Sequence, residues 1–484
     1  MLGVCLLQEM HALTDQTALD SLTFDARWRH ALGFEAEEDS YLSRQSLIDF
    51  RSRLADKDPE GLLLKEVFDR LTQKAIGLLG LSTARQRVDS TLIRSNIREQ
   101  SRYDLLVSTL KQAIRLLHTQ YGEAYGQLSD SLKDWYEDKD KRGWFGDKGS
   151  RLPMVQVGHW LFEVVDRFGE DEELGSREEV QLVQRVFEEN FRIDPDPDPD
   201  PDPDPNLAPD PDPDPDKADS LQTIVLKEHS ERVSHDTTLQ SAFDPDAGKG
   251  HKGSGYMAQV TETCGNDATE LITSFEVLSG NAPDQNQSQA RLKELDLRGL
   301  KPETLFADAG YLTPTSLWFA EELGVDLYGP IRKPRLANDY LRTDFEYNED
   351  GTIQSCPEDQ KPRKHTVRMY EGTGESHPTA LFDPDVCNKC EKSCPVYLRK
   401  KSAVLILVHR LRLRDQRLSE QREREWWEEY GIRSGVEATM SELKRAHGLG
   451  KLRVRGRTKV VISVSFKMLA CNAKRWMQET KKAA

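Results

Sequence analysis

A chain of 484 residues is long enough for two or three domains around sizeable cores, and its formal net charge of −16 argues at first against a polyanionic partner. That balance is local in origin: residues 194–216 alone carry ten aspartates, while residues 399–484 hold 22 Lys and Arg against 9 Asp and Glu. Seven cysteines in so long a chain do not resemble a secreted disulfide framework, and no apolar stretch approaches the roughly 20 residues of a membrane span, so a cytoplasmic setting without a membrane partner is expected. The opening MLGVCLLQEM lacks a basic leader and reads as a helix fragment.

Residues 1–80 read as an amino-terminal helical domain, because SYLSRQSLIDFRSRLA and GLLLKEVFDRLTQKAIGLLG repeat apolar positions at helical spacing. Residues 81–96 contain a short strand, RVDSTLIRSN, around Asp89, and residues 97–193 form a second helical region. The Asp-Pro run at 194–216 predicts an extended, solvated spacer, since proline removes alternate backbone donors and the aspartates repel. Residues 238–333 change to an α/β pattern. GYMAQVTETC and ELITSFEVLSG predict paired strands, SQARLKELDLRG a helix, TLFADAGY a buried strand ending in Asp308, TPTSLWFAEELG a helix and VDLYGPI a further strand. Residues 334–400 read as an irregular, charged, cysteine-bearing insertion, and residues 401–484 as basic helices that close the chain.

The basic end contains YGIRSGVEATMSELK, which separates Tyr430, Arg433, Glu437 and Lys444 by two, three and six residues. On a helix, Glu437, Ser441, Lys444 and Arg445 share a face, so one carboxylate stands among cations. Asp89 or Asp308 alone reads as a turn residue at a strand end. Three acids in the order Asp, Asp, Glu, with the last on a basic helix, suit a site that binds divalent metal and grips a phosphate backbone. Lys444 would act as a point charge and Arg433 as a fork.

These spacings resemble the Y-(2)-R-(3)-E-(6)-K signature of bacterial insertion-sequence DDE transposases. The segments RVDSTLIRSN, SAFDPDA, KGSGY, QVTETCG, FADAGY, GVDLYGPIR and RSGVEATMSELKRAHGLGKLRVRGRTKV follow the order seen in that family. The resemblance implies an α/β fold with an RNase H-like catalytic core, an amino-terminal all-α transposase domain, which the residues alone leave open as a DNA-binding or a packing module, and helical and cysteine-bearing insertions. It implies Asp89, Asp308 and Glu437 as catalytic ligands of Mg²⁺ or Mn²⁺, with Tyr430, Arg433, Lys444 and Arg445 at the DNA. The expected activity is hydrolysis and strand transfer at an element's terminal inverted repeats, by a homodimer or higher assembly on double-stranded DNA at the nucleoid. A catalytically defective DNA-binding relic and an RNase H-like nuclease without strand transfer are the alternatives. Three departures stand against the family pattern: a start inside the amino-terminal domain, the Asp-Pro run, and Met257 at a usually basic position near Lys249, His251 and Lys252.

Cys387, Cys390 and Cys394 form C-x2-C-x3-C, with Cys356 as a fourth thiol. That set fits either a structural Zn²⁺ site fastening the insertion or reduced thiols, and soft sulfur does not suit the catalytic metal. His447 reads as a helix-ending residue before Gly448, and Trp426 and Trp427 as residues packing their helix on the core or stacking on a base.

Overall fold

The computed structural model describes residues 1–34, 42–94, 100–138, 152–194, 223–232, 237–250, 252–265, 269–332, 338–369, 376–399 and 401–483. The expected Asp-Pro spacer beyond Asp194, and His251, lie outside the described residues.

The strand Arg85–Ile93 is central to the main sheet. On one side it pairs antiparallel with Gly253–Thr263, which pairs antiparallel with Ile272–Ser279 and, at its start, with Gly248–Gly250. On the other side it pairs parallel with Thr304–Phe306, which pairs parallel with Asp326–Tyr328. This mixed sheet with helical insertions is consistent with the RNase H-like core expected from the sequence. The strand Gly253–Thr263 is buried along nearly its whole length, so its polar residues Gln259, Thr261 and Glu262 are interior. Each predicted element of this region has its counterpart, including the helices Gln287–Leu297 and Pro314–Glu322.

The helices Leu2–Met10, Asp15–Phe24, Ala26–Leu32, Arg44–Lys57 and Leu62–Leu79 do not enclose a core of their own. Their apolar faces enter the core shared by the sheet and the long final helix Arg457–Ala483, where Val460, Val464, Met468 and Cys471 recur at helical spacing. Phe68 meets Phe275 of the sheet edge-on, with ring centroids 4.9 Å apart. Asp58 caps the fifth helix by accepting from Leu62 and Leu63 backbone N–H at 2.7 and 3.0 Å.

Between the first two core strands, the helices Arg102–Gln120, Met154–Phe168 and Glu178–Asn190 gather a separate apolar cluster. Their last turn runs into a hairpin of Phe191–Asp194 with Thr223–Leu226. A four-stranded antiparallel sheet runs in the order Lys364–Met369, Ser376–Phe382, Ser402–Ile406 and Tyr397–Arg399: three strands come from the insertion expected to be irregular, and Ser402–Ile406 from the start of the 401–484 segment expected to be helical. Its outer strand Lys364–Met369 buries no residue: Lys364, Thr366 and Arg368 share one face and His365, Val367 and Met369 the other, so neither face marks a core side. Behind it, the charged helix His409–Glu420 docks through fully buried Asp415, which accepts from Arg342 Nη1 at 2.9 Å.

Candidate active site

The signature stretch is not one helix. Helix Arg424–Tyr430 ends at Tyr430, a 3-10 turn Gly431–Gly435 carries Arg433, and helix Val436–Arg445 begins just before Glu437. The turn passes close to Arg87 on the central strand, whose Nη1 donates to the Ile432 carbonyl at 2.9 Å. A Cβ on Gly435 would stand 2.0 Å from that nitrogen, so only glycine fits there without a shift.

Asp89 sits mid-strand opposite Val260, and Asp308 lies two residues beyond Thr304–Phe306 on the parallel neighbour. Each spends Oδ1 on its own backbone: Asp89 accepts from Ser90 N–H and Asp308 from Gly310 N–H, both at 2.8 Å. The turn role expected of a lone aspartate is therefore seen for Asp308, while Asp89 lies inside its strand; each backbone contact uses one oxygen. Each Oδ2 instead faces Arg433 Nη2, at 3.1 Å from Asp89 and 4.0 Å from Asp308. Burial pushes the Asp89 carboxyl up from its ordinary value, Arg433 and the Ser90 N–H pull it down, and Asp308 pushes it up again; the net direction is upward.

Glu437 is exposed on the same side as Asp89. Both line a cleft of about 830 Å³ whose walls also carry Ser90, Ser441 and the cations Arg94, Lys252, Lys444, Arg445 and Lys451. The spacing argument therefore holds for the helical part: Glu437, Ser441, Lys444 and Arg445 face one space. The far wall is fixed by backbone pairing of Arg94 with the 450–452 segment. Lys252, near the Met257 position, donates to the Ser90 carbonyl at 3.0 Å, while Met257 and Lys249 line an adjoining groove that contains Asp284.

The three acids are gathered pairwise. Asp89 and Glu437 share the cleft, Asp89 and Asp308 share Arg433, and Asp308 is absent from the cleft lining. Among the described residues, the group of three His, Cys, Asp or Glu ligand atoms within 4.8 Å of one another is Glu442, His447 and Cys471. Cys356, Cys387, Cys390 and Cys394 are close enough for their charges to raise the Cys387 thiol, pushed up to about 11 mainly by burial, yet no three of them converge to that distance.

Tyr430 donates its hydroxyl to the Ala307 carbonyl at 3.2 Å, next to Asp308, and so braces that loop. Its ring stacks on buried Trp426, which stacks in turn on Tyr328 at 4.8 Å. Trp426 thus packs the helix, while half-exposed Trp427 donates to the Gln421 carbonyl at 2.8 Å.

Sequence reasoning missed the buried support behind the helix. Glu262, with no exposure, accepts from Arg87 Nε at 2.7 Å, Thr439 Oγ1 at 2.5 Å and Arg475 Nη1 at 3.3 Å. This knot joins the first two core strands, the Glu437 helix and the final helix. The one visible signal was a charged residue inside an otherwise strand-like QVTETC. Asp284 was also missed; it lies beside Asp308 across Gly310.

A family model described as "Transposase DDE domain" matches residues 355–477. No curated protein and no solved structure matches the chain. A DDE-transposase domain is thus present in the C-terminal third; the matched residues include Tyr430, Arg433, Glu437 and Lys444 and stop short of Asp89 and Asp308. With a residue cluster able to chelate a metal ion, it supports a nuclease- or transposase-type activity in general terms. Among the described residues, no helix is long and apolar enough to cross a membrane.

Proposed function

We propose that this chain is a DNA transposase that cleaves strands at the ends of its insertion sequence and joins them to target DNA. The observation that carries this reading is the single cleft in which Asp89 and Glu437 stand among five cations, inside and beside the DDE-transposase domain. The donor set fits Mg²⁺ or Mn²⁺: the acids offer hard carboxylate oxygens, and the Oδ2 atoms of Asp89 and Asp308 already converge on one positive group. Asp89, Asp308 and Glu437 would hold the metal, which when bound supplies charge to the attacking and leaving oxygens of a phosphodiester.

The chain's own part is positioning. Lys444, Arg445, Lys451, Lys252 and Arg94 would track the backbone phosphates, each neutralised contact adding salt-sensitive affinity. Arg433 would turn from the aspartates to a phosphate once metal takes over their charge. Tyr430 holds the Ala307–Asp308 backbone, and the Glu262 knot holds the Glu437 helix against the sheet. Acting on two element ends at once calls for a homodimer or higher assembly, at the nucleoid. Cys356, Cys387, Cys390 and Cys394 would fasten the insertion on closing around a structural Zn²⁺ and otherwise stand as reduced thiols, no three of them lying within 4.8 Å of one another.

A second reading, a DNA-binding relic without catalysis, draws on Arg433 standing between Asp89 and Asp308. The test is Mg²⁺- or Mn²⁺-dependent cleavage of duplex DNA bearing the gene's flanking ends, by wild type beside Asp308→Asn and Glu437→Gln. Specific cleavage in wild type, lost by more than about 100-fold in both folded variants, is expected. Joined products in the same reaction separate a transposase from a simple nuclease. A folded wild type that binds the ends and cuts nothing establishes the relic.

A further inference from the structure

We infer that Glu442, His447 and Cys471 form a structural zinc site on the buried side of the Glu437 helix, separate from the cleft. Their ligand atoms lie within 4.8 Å of one another. They come from three places: Glu442 from helix Val436–Arg445, His447 from the loop that follows it, and Cys471 from the middle of the final helix. The inference does not rest on the transposase reading.

The imidazole is the strongest evidence. His447 is 1% exposed, and its Nδ1 lies 3.3 Å from the Glu9 carbonyl, so Nδ1 carries the hydrogen. Nε2 is then a bare lone pair, buried and without a hydrogen-bond partner. A ring whose hydrogen is fixed by a backbone carbonyl, with the other nitrogen left buried and free, is how metal-binding histidines are held.

The other two donors are arranged to match. Glu442 accepts both Arg475 contacts through Oε2, at 2.7 and 3.1 Å, which leaves Oε1 for a cation. Cys471 has no exposure, so a thiolate there needs a cation beside it. Of the nearby cations, Lys467 is paired with Glu9 at 2.7 Å and Arg475 is shared between Glu442 and Glu262, while Lys474 also stands close to His447 and Cys471. Sulfur, imidazole nitrogen and carboxylate oxygen together select Zn²⁺ over Mg²⁺.

Bonds of about 2.0–2.3 Å would bring the donors to roughly 3.3–3.8 Å, a closure of about an ångström. The Cys471 proton leaves to solvent as the metal enters, while Glu442 Oε1 and His447 Nε2 contribute lone pairs; a water completes four-coordination. Zinc there would pin the helix carrying Glu437 and Lys444 to the final helix and, through Glu9, to the first.

The test uses the full chain with Cys387→Ser and Cys390→Ser, which disables the other cysteine group, loaded with Co²⁺ after chelator treatment. A thiolate-to-cobalt charge-transfer band in this background, abolished by adding Cys471→Ser, is the expected result. Absence of the band overturns the inference. Should the Cys471→Ser chain fail to fold, zinc-edge X-ray absorption of the loaded parent decides. One sulfur among nitrogen and oxygen neighbours supports the site; a sulfur-free or all-sulfur shell overturns it.

Discussion

The helix Val436–Arg445 has acids on both sides, and the two sides treat them in opposite ways. Behind it, Glu262 is fully enclosed and meets two guanidinium groups and a hydroxyl. In front, Asp89 and Asp308 each keep one oxygen for a shared Arg433, and Glu437 is exposed. A buried carboxylate is tolerable only when its lone pairs are occupied, because desolvation costs several kcal/mol per ion. Full pairing makes an acid a fastener; partial pairing leaves it available to a cation. The contrast teaches that acidity alone does not mark a working site: the occupancy of the oxygens does.

The strongest blow to the fastener side is Glu262→Gln, which leaves Arg87 and Arg475 buried beside a neutral amide. It should cost about 3–5 kcal/mol in urea unfolding; a loss below about 1 kcal/mol would refute the role. Gly435→Ala comes next, since its Cβ must displace the Arg87 fork that grips Glu262. About 1–3 kcal/mol is expected, with the strand-cleavage rate falling as the Glu437 helix shifts.

A third paired acid extends the rule. Burial pushes the Glu294 carboxyl up, but Arg291, Lys65 and Ser274 more than offset this and hold it below the ordinary glutamate value. Its stabilisation is therefore complete above the unfolded pKa and disappears as pH falls through the folded one. Glu294→Gln should lose about 1–2 kcal/mol at pH 7, with the gap from wild type closing on acidification; a pH-independent gap would contradict the pairing. The smallest effect concerns the cleft. Arg433→Ala in DNA-free protein should tighten Mn²⁺ binding roughly five-fold, the worth of about 1 kcal/mol of released ion pair. Unchanged or weaker binding by electron paramagnetic resonance would show that the guanidinium does not compete with metal.

How much of this was legible depended on range. The strands around Asp89 and Asp308 were readable because short apolar runs end in an acid followed by small residues. The cleft face of Glu437, Ser441, Lys444 and Arg445 followed from helical periodicity. The placement of Tyr430 and Arg433 outside that helix did not, although glycines at 431 and 435 were a local hint. Glu262 could not be assigned a role, because its partners Arg87, Thr439 and Arg475 lie 175, 177 and 213 residues away. Amphipathic helices in residues 1–80 announced buried faces but not their partner, which is the core shared by the main sheet and the final helix. The insertion sheet was hidden because its outer strand buries neither face, so its apolar Val367 and Met369 are exposed and give no core signal.

The hairpin of Phe191–Asp194 with Thr223–Leu226 has a consequence for how this gene tolerates change. Asp194 pairs directly with Thr223, so the Asp-Pro tract enters and leaves the fold at adjacent points. Gaining or losing repeat units changes the length of chain between two points that the strand pairing already holds together. The entropy of closing a chain segment grows only logarithmically with its length, by about 0.6 kcal/mol for each doubling. Slippage of the repeat during replication would therefore be nearly silent for folding, and copies of this gene can diverge in tract length while inheriting the same core.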